Sequence, residues 1–226
     1  MDSGATRLPK FASVVFDADS TLSAMEGIDW LGALRGPEVA AEIEALTNRA
    51  MDGLVPLDDV YALRIARIRP TGDELRELGE VYVRRVVPGV ASLVADLHAV
   101  GVTTVIVSGG IREALLPLAA HLGVPASRVH AVGLRCTAGD GVYDALDGVQ
   151  LLATQAGKVR VVEMLVRDGV VKGPIALVGD GATDAAVRGV VDAFFAYTGV
   201  VRREAVVSVA AGEARDMAGL SELLLG

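Results

Sequence analysis

The sequence predicts an α/β fold: a doubly wound, mostly parallel sheet carrying a small inserted helical cap domain. Three observations lead there. Short apolar runs alternate with amphipathic stretches. The early apolar runs end on small or acidic residues. After the first run, about 65 residues of purely helical pattern interrupt the alternation.

Ala12 to Phe16 (ASVVF) reads as a buried strand that stops at Asp17. From Ser23 to Val87 the pattern is helical only, with Pro37, Pro56 and Pro70 near the starts or joins. A block of that length is too long for an ordinary crossover between two strands of one sheet. It is therefore expected as a cap domain over residues 23–87, set into a core domain of residues 1–22 and 88–226. Pro88-Gly89 opens a helix that runs to Val100, Val102 to Val107 is the next strand, and Ile111 to Leu122 is a helix stopped by Gly123. Gly139-Asp140-Gly141 lies between the β-prone stretches Val129 to Thr137 and Val142 to Ala145, which predicts a hairpin. Lys158 to Asp168 has helical period. Ile175 to Val178 and Ala193 to Ala196 read as strands, and Ala205 to Val209 as a further β-rich run.

The bulk numbers narrow the function. The chain has 226 residues, of which 52% are hydrophobic but only 4% aromatic, so its core must be built from Ala, Val and Leu. A net charge of −8 argues against nucleic acid or an anionic membrane as partner, because both need a basic surface. Any phosphate site must therefore make its own local positive field. The single cysteine, Cys136, can form neither an intrachain disulfide nor a paired-cysteine metal site. Residues 1–10 hold no apolar run long enough for a signal peptide, and no stretch approaches a membrane-spanning length, so cytoplasmic residence is expected. The pattern leaves the oligomeric state open.

Four segments carry chemistry. In Phe16-Asp17-Ala18-Asp19-Ser20-Thr21-Leu22 two acids stand two residues apart where a strand ends, so in extended chain they point the same way. Two like charges side by side need a cation or a shared proton. In Val107-Ser108-Gly109-Gly110 a hydroxyl and two glycines join a strand to a helix, where backbone N–H groups can face an anion; an ordinary turn has the same composition. Lys158 lies near a helix start, where its charge opposes the helix dipole, which hints at a role elsewhere. Val178-Gly179-Asp180-Gly181-Ala182-Thr183-Asp184 again ends a strand on an acid, although Thr183 or Asp184 could equally serve as helix caps. Each segment alone has a bland reading. Together they bring acids, a hydroxyl, N–H donors and a lysine to one crevice, the inventory phosphoryl transfer needs.

These four segments, in this order, resemble the motifs of the haloacid dehalogenase superfamily. The stretches FDADSTLSAMEGIDWL, NRAMDGLVPLDDVYALRIARI and KVRVVEML extend the resemblance to the phosphoserine phosphatases over nearly the whole chain. The resemblance implies a Rossmann-like core and an Mg²⁺-dependent phosphomonoesterase working through a phospho-aspartate. Asp17 would be the nucleophile and Asp19 the general acid and base. Asp17, the carbonyl oxygen of Asp19, and Asp180 would hold Mg²⁺, with Asp184 supporting the metal shell or orienting Lys158. Ser108, Gly109, Lys158 and Thr183 would bind phosphate. Glu26 would face the substrate ammonium and Arg64 its carboxylate, with Met51 and Gly53 lining the pocket and Arg203 a basic position after the last strand. Phosphoserine is then the expected substrate. Another small phosphomonoester, such as a phospho-amino alcohol, is the alternative; it would not need Arg64. A phospho-accepting receiver domain of the response-regulator kind shares an aspartate, a hydroxyl and a lysine, but the Asp17–Asp19 pair and the helical block argue against it.

Overall fold

The computed structural model describes residues 9–52, 54, 57–139 and 141–226. Six parallel strands form one sheet in the order β3-β2-β1-β6-β7-β8: β1 Ser13–Phe16, β2 Thr103–Ile111, β3 Val129–Val132, β6 Ile175–Gly179, β7 Ala193–Tyr197 and β8 Gly212–Ala214. The central strands are buried on both faces, which is why they read as unbroken apolar runs. β1 pairs with β2 on one side and β6 on the other, with Phe16 opposite both Ile106 and Val178. Chain order reverses direction across the sheet between β1 and β6. That switch point opens a crevice at the carboxyl ends of β1, β2 and β6.

Four helices fill the stretch between β1 and the core helix α5 Val90–Ala99. They are α1 Gly27–Ala33, α2 Pro37–Met51, α3 Leu57–Ile68 and α4 Gly72–Arg84. Their buried residues, including Ile28, Leu31, Ile43, Tyr61, Ile65 and Leu78, belong to the same hydrophobic cluster as the sheet's Val14, Val105 and Leu177. The remaining helices are α6 Arg112–His121, α7 Gly157–Arg167, the short α8 Ala182–Ala185 and α9 Glu204–Val207, and α10 Met217–Leu225. No helix among the described residues is long and apolar enough to cross a membrane.

Two expectations are revised. The expected hairpin exists, as β4 Leu134–Arg135 against β5 Ala145–Leu146. Val129–Val132, however, belongs to the main sheet and pairs in parallel with β2. Ala205 to Val209 is not a strand: Glu204–Val207 forms α9, burying Val206, and the edge strand falls later, at Gly212–Ala214. A short valine-rich run takes the helix that buries one side, because packing outweighs β-propensity over so few residues.

Inside the helical block, α4 opens with a capping box. The Glu74 N–H donates to Thr71 Oγ1 at 3.2 Å, and the Thr71 N–H donates to the Glu74 carboxylate at 2.8 Å. Arg35 grips the same carboxylate through both terminal nitrogens at 2.7 and 2.6 Å. That pair holds the Glu74 carboxyl down at about 2. A carboxylate depressed in the folded state contributes stability that is full above its unfolded pKa and lost as pH falls through the folded one. Glu74→Gln keeps the cap acceptor and loses the charge facing Arg35, so we expect it to cost about 1 kcal/mol at pH 7, the upper range of a partly exposed ion pair. The gap to the wild type should shrink as pH falls from about 4.5 toward 2. Urea unfolding of both proteins at pH 7 and pH 3 checks this; an equal gap at both would refute the linkage.

Candidate active site

Asp17 follows β1 directly and is 7% exposed. The Lys158 ammonium, from the first turn of α7, lies 2.9 Å from Asp17 Oδ1 and 2.6 Å from Asp184 Oδ1. Burial alone would push the Lys158 ammonium down, but these two carboxylates together raise it. A lysine set against the helix dipole is thus explained by two buried acids. Asp184 also accepts the Gly181 N–H at 3.0 Å, which fixes its second oxygen. Gly179 must be glycine here, because a Cβ would fall 2.2 Å from Asp184 Cγ.

Asp180, at the end of β6, accepts from the Arg203 guanidinium and, at 3.4 Å, from the Thr21 hydroxyl. Arg203 is 8% exposed and also reaches Asp52 at 3.4 Å, so it spans from the core to the end of α2. Burial, and then the charge of Asp17, push the Asp180 carboxyl far above its ordinary value despite Arg203. Asp184 is raised for the same first reason.

The carboxylates of Asp17, Asp180 and Asp184 lie within 4.8 Å of one another. Three acids against the two cations Lys158 and Arg203 leave an excess negative charge in a buried site. Hard oxygen donors at that spacing fit a divalent cation, whose charge would relieve the strain that raises Asp180. The Asp19 side chain is turned elsewhere, so only its backbone carbonyl is left for such a role. Asp19 Oδ1 accepts the Gly27 N–H at 2.8 Å and the Tyr82 hydroxyl at 2.7 Å. Burial and the nearby Asp17 charge push Asp19 up to about 6, against the pull of those two donors. Gly27 is glycine for a local reason: a Cβ would overlap the Tyr82 hydroxyl at 2.0 Å.

The other expected residues fall around the same pocket. Ser108 and Thr183 are buried, and Ser108 Oγ accepts the Gly110 N–H at 3.1 Å. β2 runs through Ser108-Gly109-Gly110 to Ile111, so this segment is the end of a strand rather than a free turn. Glu26 stands at the start of α1 and accepts the Ser20 hydroxyl at 2.7 Å. Burial and the charges of Asp19 and Asp180 push its carboxyl well up. Arg64, from α3, is 2% exposed. It donates to Thr47 Oγ1 at 2.8 Å, while its Nε is buried without a partner. Among the described residues it forms no ion pair within 4.0 Å, and burial pulls its guanidinium down. Gly53 and the Met51 side chain lie outside the described residues.

Tyr61, Tyr82, Thr47 and Thr154 also stand at this site, the last three unmarked by any motif. Each is an ordinary residue of its helix or loop in sequence, and only tertiary placement brings it here.

Comparison with known proteins agrees with this geometry. The family of haloacid dehalogenase-like hydrolases matches residues 14–187. The mouse (Mus musculus) phosphoserine phosphatase is 35% identical over 194 residues, covering 86% of this chain and 84% of that one. The chloroplastic phosphoserine phosphatase of Arabidopsis thaliana is 34% identical over 87% of this chain, which spans 66% of the plant protein. The crystal structure of a phosphoserine phosphohydrolase-like protein from Francisella tularensis superposes with a TM-score of 0.86 at 29% identity, covering 94% of this chain and 99% of that one. The chain therefore belongs to the haloacid dehalogenase-like hydrolases, within their phosphoserine phosphatase family, and is a phosphoric monoester hydrolase.

Proposed function

We propose that the protein hydrolyses phosphoserine to serine and phosphate, with Asp17 as nucleophile and Mg²⁺ as cofactor. The observation that carries the substrate is Arg64: a buried guanidinium that, among the described residues, has an unpartnered Nε and no ion-pair partner, on the same pocket as Asp17 and Lys158. A buried arginine left with free donors is costly unless an anion completes it. Glu26, raised and buried on the same pocket, would be completed by a cation. A substrate with a carboxylate and an ammonium on one carbon, beyond a phosphate ester, satisfies both.

Asp17 attacks the phosphorus in line and takes the phosphoryl group. Lys158, the Ser108 hydroxyl and the Gly109 N–H hold the equatorial oxygens, with Thr183 beside them. Asp19 gives its proton to the leaving serine oxygen and then takes one from the water that attacks the acyl phosphate. Asp17, Asp180 and the Asp19 carbonyl would hold Mg²⁺, with Asp184 fixing Lys158 and the metal's water. When bound, the ion offsets the repulsion between carboxylate and phosphate. Residues 23–87 act as the cap that reads the substrate and excludes water.

The test is phosphate release from phosphoserine and from phosphoethanolamine, which lacks the carboxylate. A charge-assisted hydrogen bond contributes on the order of 1.5–3 kcal/mol, or roughly ten- to a hundredfold. Arg64→Ala should lose that much kcat/KM on phosphoserine and far less on phosphoethanolamine. Glu26→Ala should harm both. Chelation should silence the wild type, and Mg²⁺ should restore it better than Ca²⁺, which takes more ligands at longer distances. Wild-type preference for phosphoethanolamine would move the substrate to the phospho-amino alcohols.

A further inference from the structure

Resting on that reading, we infer that Tyr61 is a positioning residue for substrate choice, a strut that ties the carboxylate-reading Arg64 to the phosphate-binding end of β2. Two contacts of one side chain carry the inference. The Arg64 guanidinium carbon lies over the Tyr61 ring, 5.3 Å from its centroid. The Tyr61 hydroxyl donates to the Gly109 carbonyl at 2.7 Å, 48 residues away in sequence. The ring therefore bears on one end of the substrate and the hydroxyl on the other.

Each contact answers a need already described. Among the described residues Arg64 has a single hydrogen-bond partner, the Thr47 hydroxyl, and no ion pair. A guanidinium so placed keeps its charge more readily with the negative face of an aromatic ring beneath it. Thr47 in turn donates to Asp29 at 2.5 Å, so the arginine is held from a second side by a polar chain. The ring and Thr47 hold the guanidinium from two sides, and Tyr61, Thr47 and Arg64 all line the pocket. At the far end, Gly109 presents its N–H to the phosphate in the proposed mechanism. A hydrogen bond to its carbonyl fixes the plane of the peptide that follows and the path of the strand end. Tyr61 is 1% exposed, and burial pushes its phenol up, so the hydroxyl remains a donor across the working pH range.

The two contacts separate by substitution. Tyr61→Phe keeps the ring and removes the hydroxyl. Tyr61→Leu removes both, and Tyr61→Met is a second apolar variant whose flexible chain fills the space differently. The proteins are first compared by thermal unfolding, and then kcat and KM are measured with phosphoserine and phosphoethanolamine. Phenylalanine should lower kcat/KM about two- to tenfold on both substrates alike, the range of one neutral hydrogen bond, chiefly through kcat. Leucine and methionine should add a loss confined to phosphoserine, mostly in KM. The phosphoserine-to-phosphoethanolamine ratio should then fall by about five- to thirtyfold, the worth of a desolvated cation–π contact. Titration of phosphoserine and of phosphoethanolamine into Asp17→Asn with and without Tyr61→Leu should show the same fall in the ratio of their affinities. A folded leucine or methionine variant with an unchanged ratio overturns the inference while leaving the substrate reading intact. A phenylalanine variant with wild-type kinetics removes the tether half of it. A wild type that does not prefer phosphoserine overturns the substrate reading, and this inference with it.

Discussion

Asp17→Asn should abolish turnover and leave the fold intact. Loss of a covalent nucleophile costs on the order of 10⁴-fold or more, since the residual rate comes only from binding and electrostatics. Asparagine matches aspartate in shape, so Lys158 keeps a polar neighbour there and its closer partner Asp184 at 2.6 Å. The substitution also removes one negative charge from a cluster whose mutual repulsion helps raise Asp180. Thermal stability without metal should therefore hold or rise, where a purely structural aspartate would give a fall. The measurements are phosphate release and unfolding temperature for both proteins. Beryllium fluoride should protect the wild type against proteolysis and leave the variant unprotected, because the anion needs a carboxylate oxygen to complete its tetrahedron. Steady-state hydrolysis by the variant, with deamidation excluded by mass measurement, would sink the assignment of Asp17.

What the sequence made legible follows a physical division. Strands β1 and β6 stand out because both faces are buried, so each is a mostly apolar run, and the acids after them, Asp17 and Asp180, stand out by contrast. The residues that hold those acids in place do not stand out. Tyr82 sits in α4, 63 residues from the carboxylate it bonds, and its helix reads as an ordinary amphipathic one. Nothing about Thr47 in sequence distinguishes it from a buried polar residue, yet it bridges Asp29 and Arg64. Gly27 looks like a plain helix start until the Tyr82 hydroxyl is placed where its Cβ would go. Local spacing announces catalytic groups because their chemistry needs proximity to a strand end. Supporting groups are set by how helices cross, and that depends on the whole packed core. The hairpin and the α9 stretch show the same limit, since short β-prone runs take the structure that their burial allows.

Asp19→Asn should separate the two halves of the reaction. Both donors to Asp19, the Gly27 N–H and the Tyr82 hydroxyl, meet Oδ1, so a proton on the acid belongs on Oδ2. Room beside Oδ2 depends on Gly110, whose Cβ would come within 2.9 Å of that oxygen. With burial and Asp17 pushing it up to about 6, the group can hold a proton for the leaving oxygen and lose it to become a base near neutral pH. Asparagine can keep its oxygen at Oδ1 against both donors, so the helical block should remain seated. It cannot give or take the proton. Turnover of phosphoserine should fall roughly 10²- to 10⁴-fold, the worth of a general acid–base group. An aryl ester such as p-nitrophenyl phosphate has a leaving group that departs without protonation, so its first step should survive while water attack still lacks a base. Rapid mixing of Asp19→Asn with that ester should give a burst of nitrophenolate matching the enzyme present, followed by slow turnover, with phosphate retained on the protein. A variant with near wild-type turnover of phosphoserine would make Asp19 purely structural. Equal slowing of both substrates without a burst would place the loss in the first step whatever the leaving group, and would overturn the assignment of Asp19 as the general acid for the leaving oxygen.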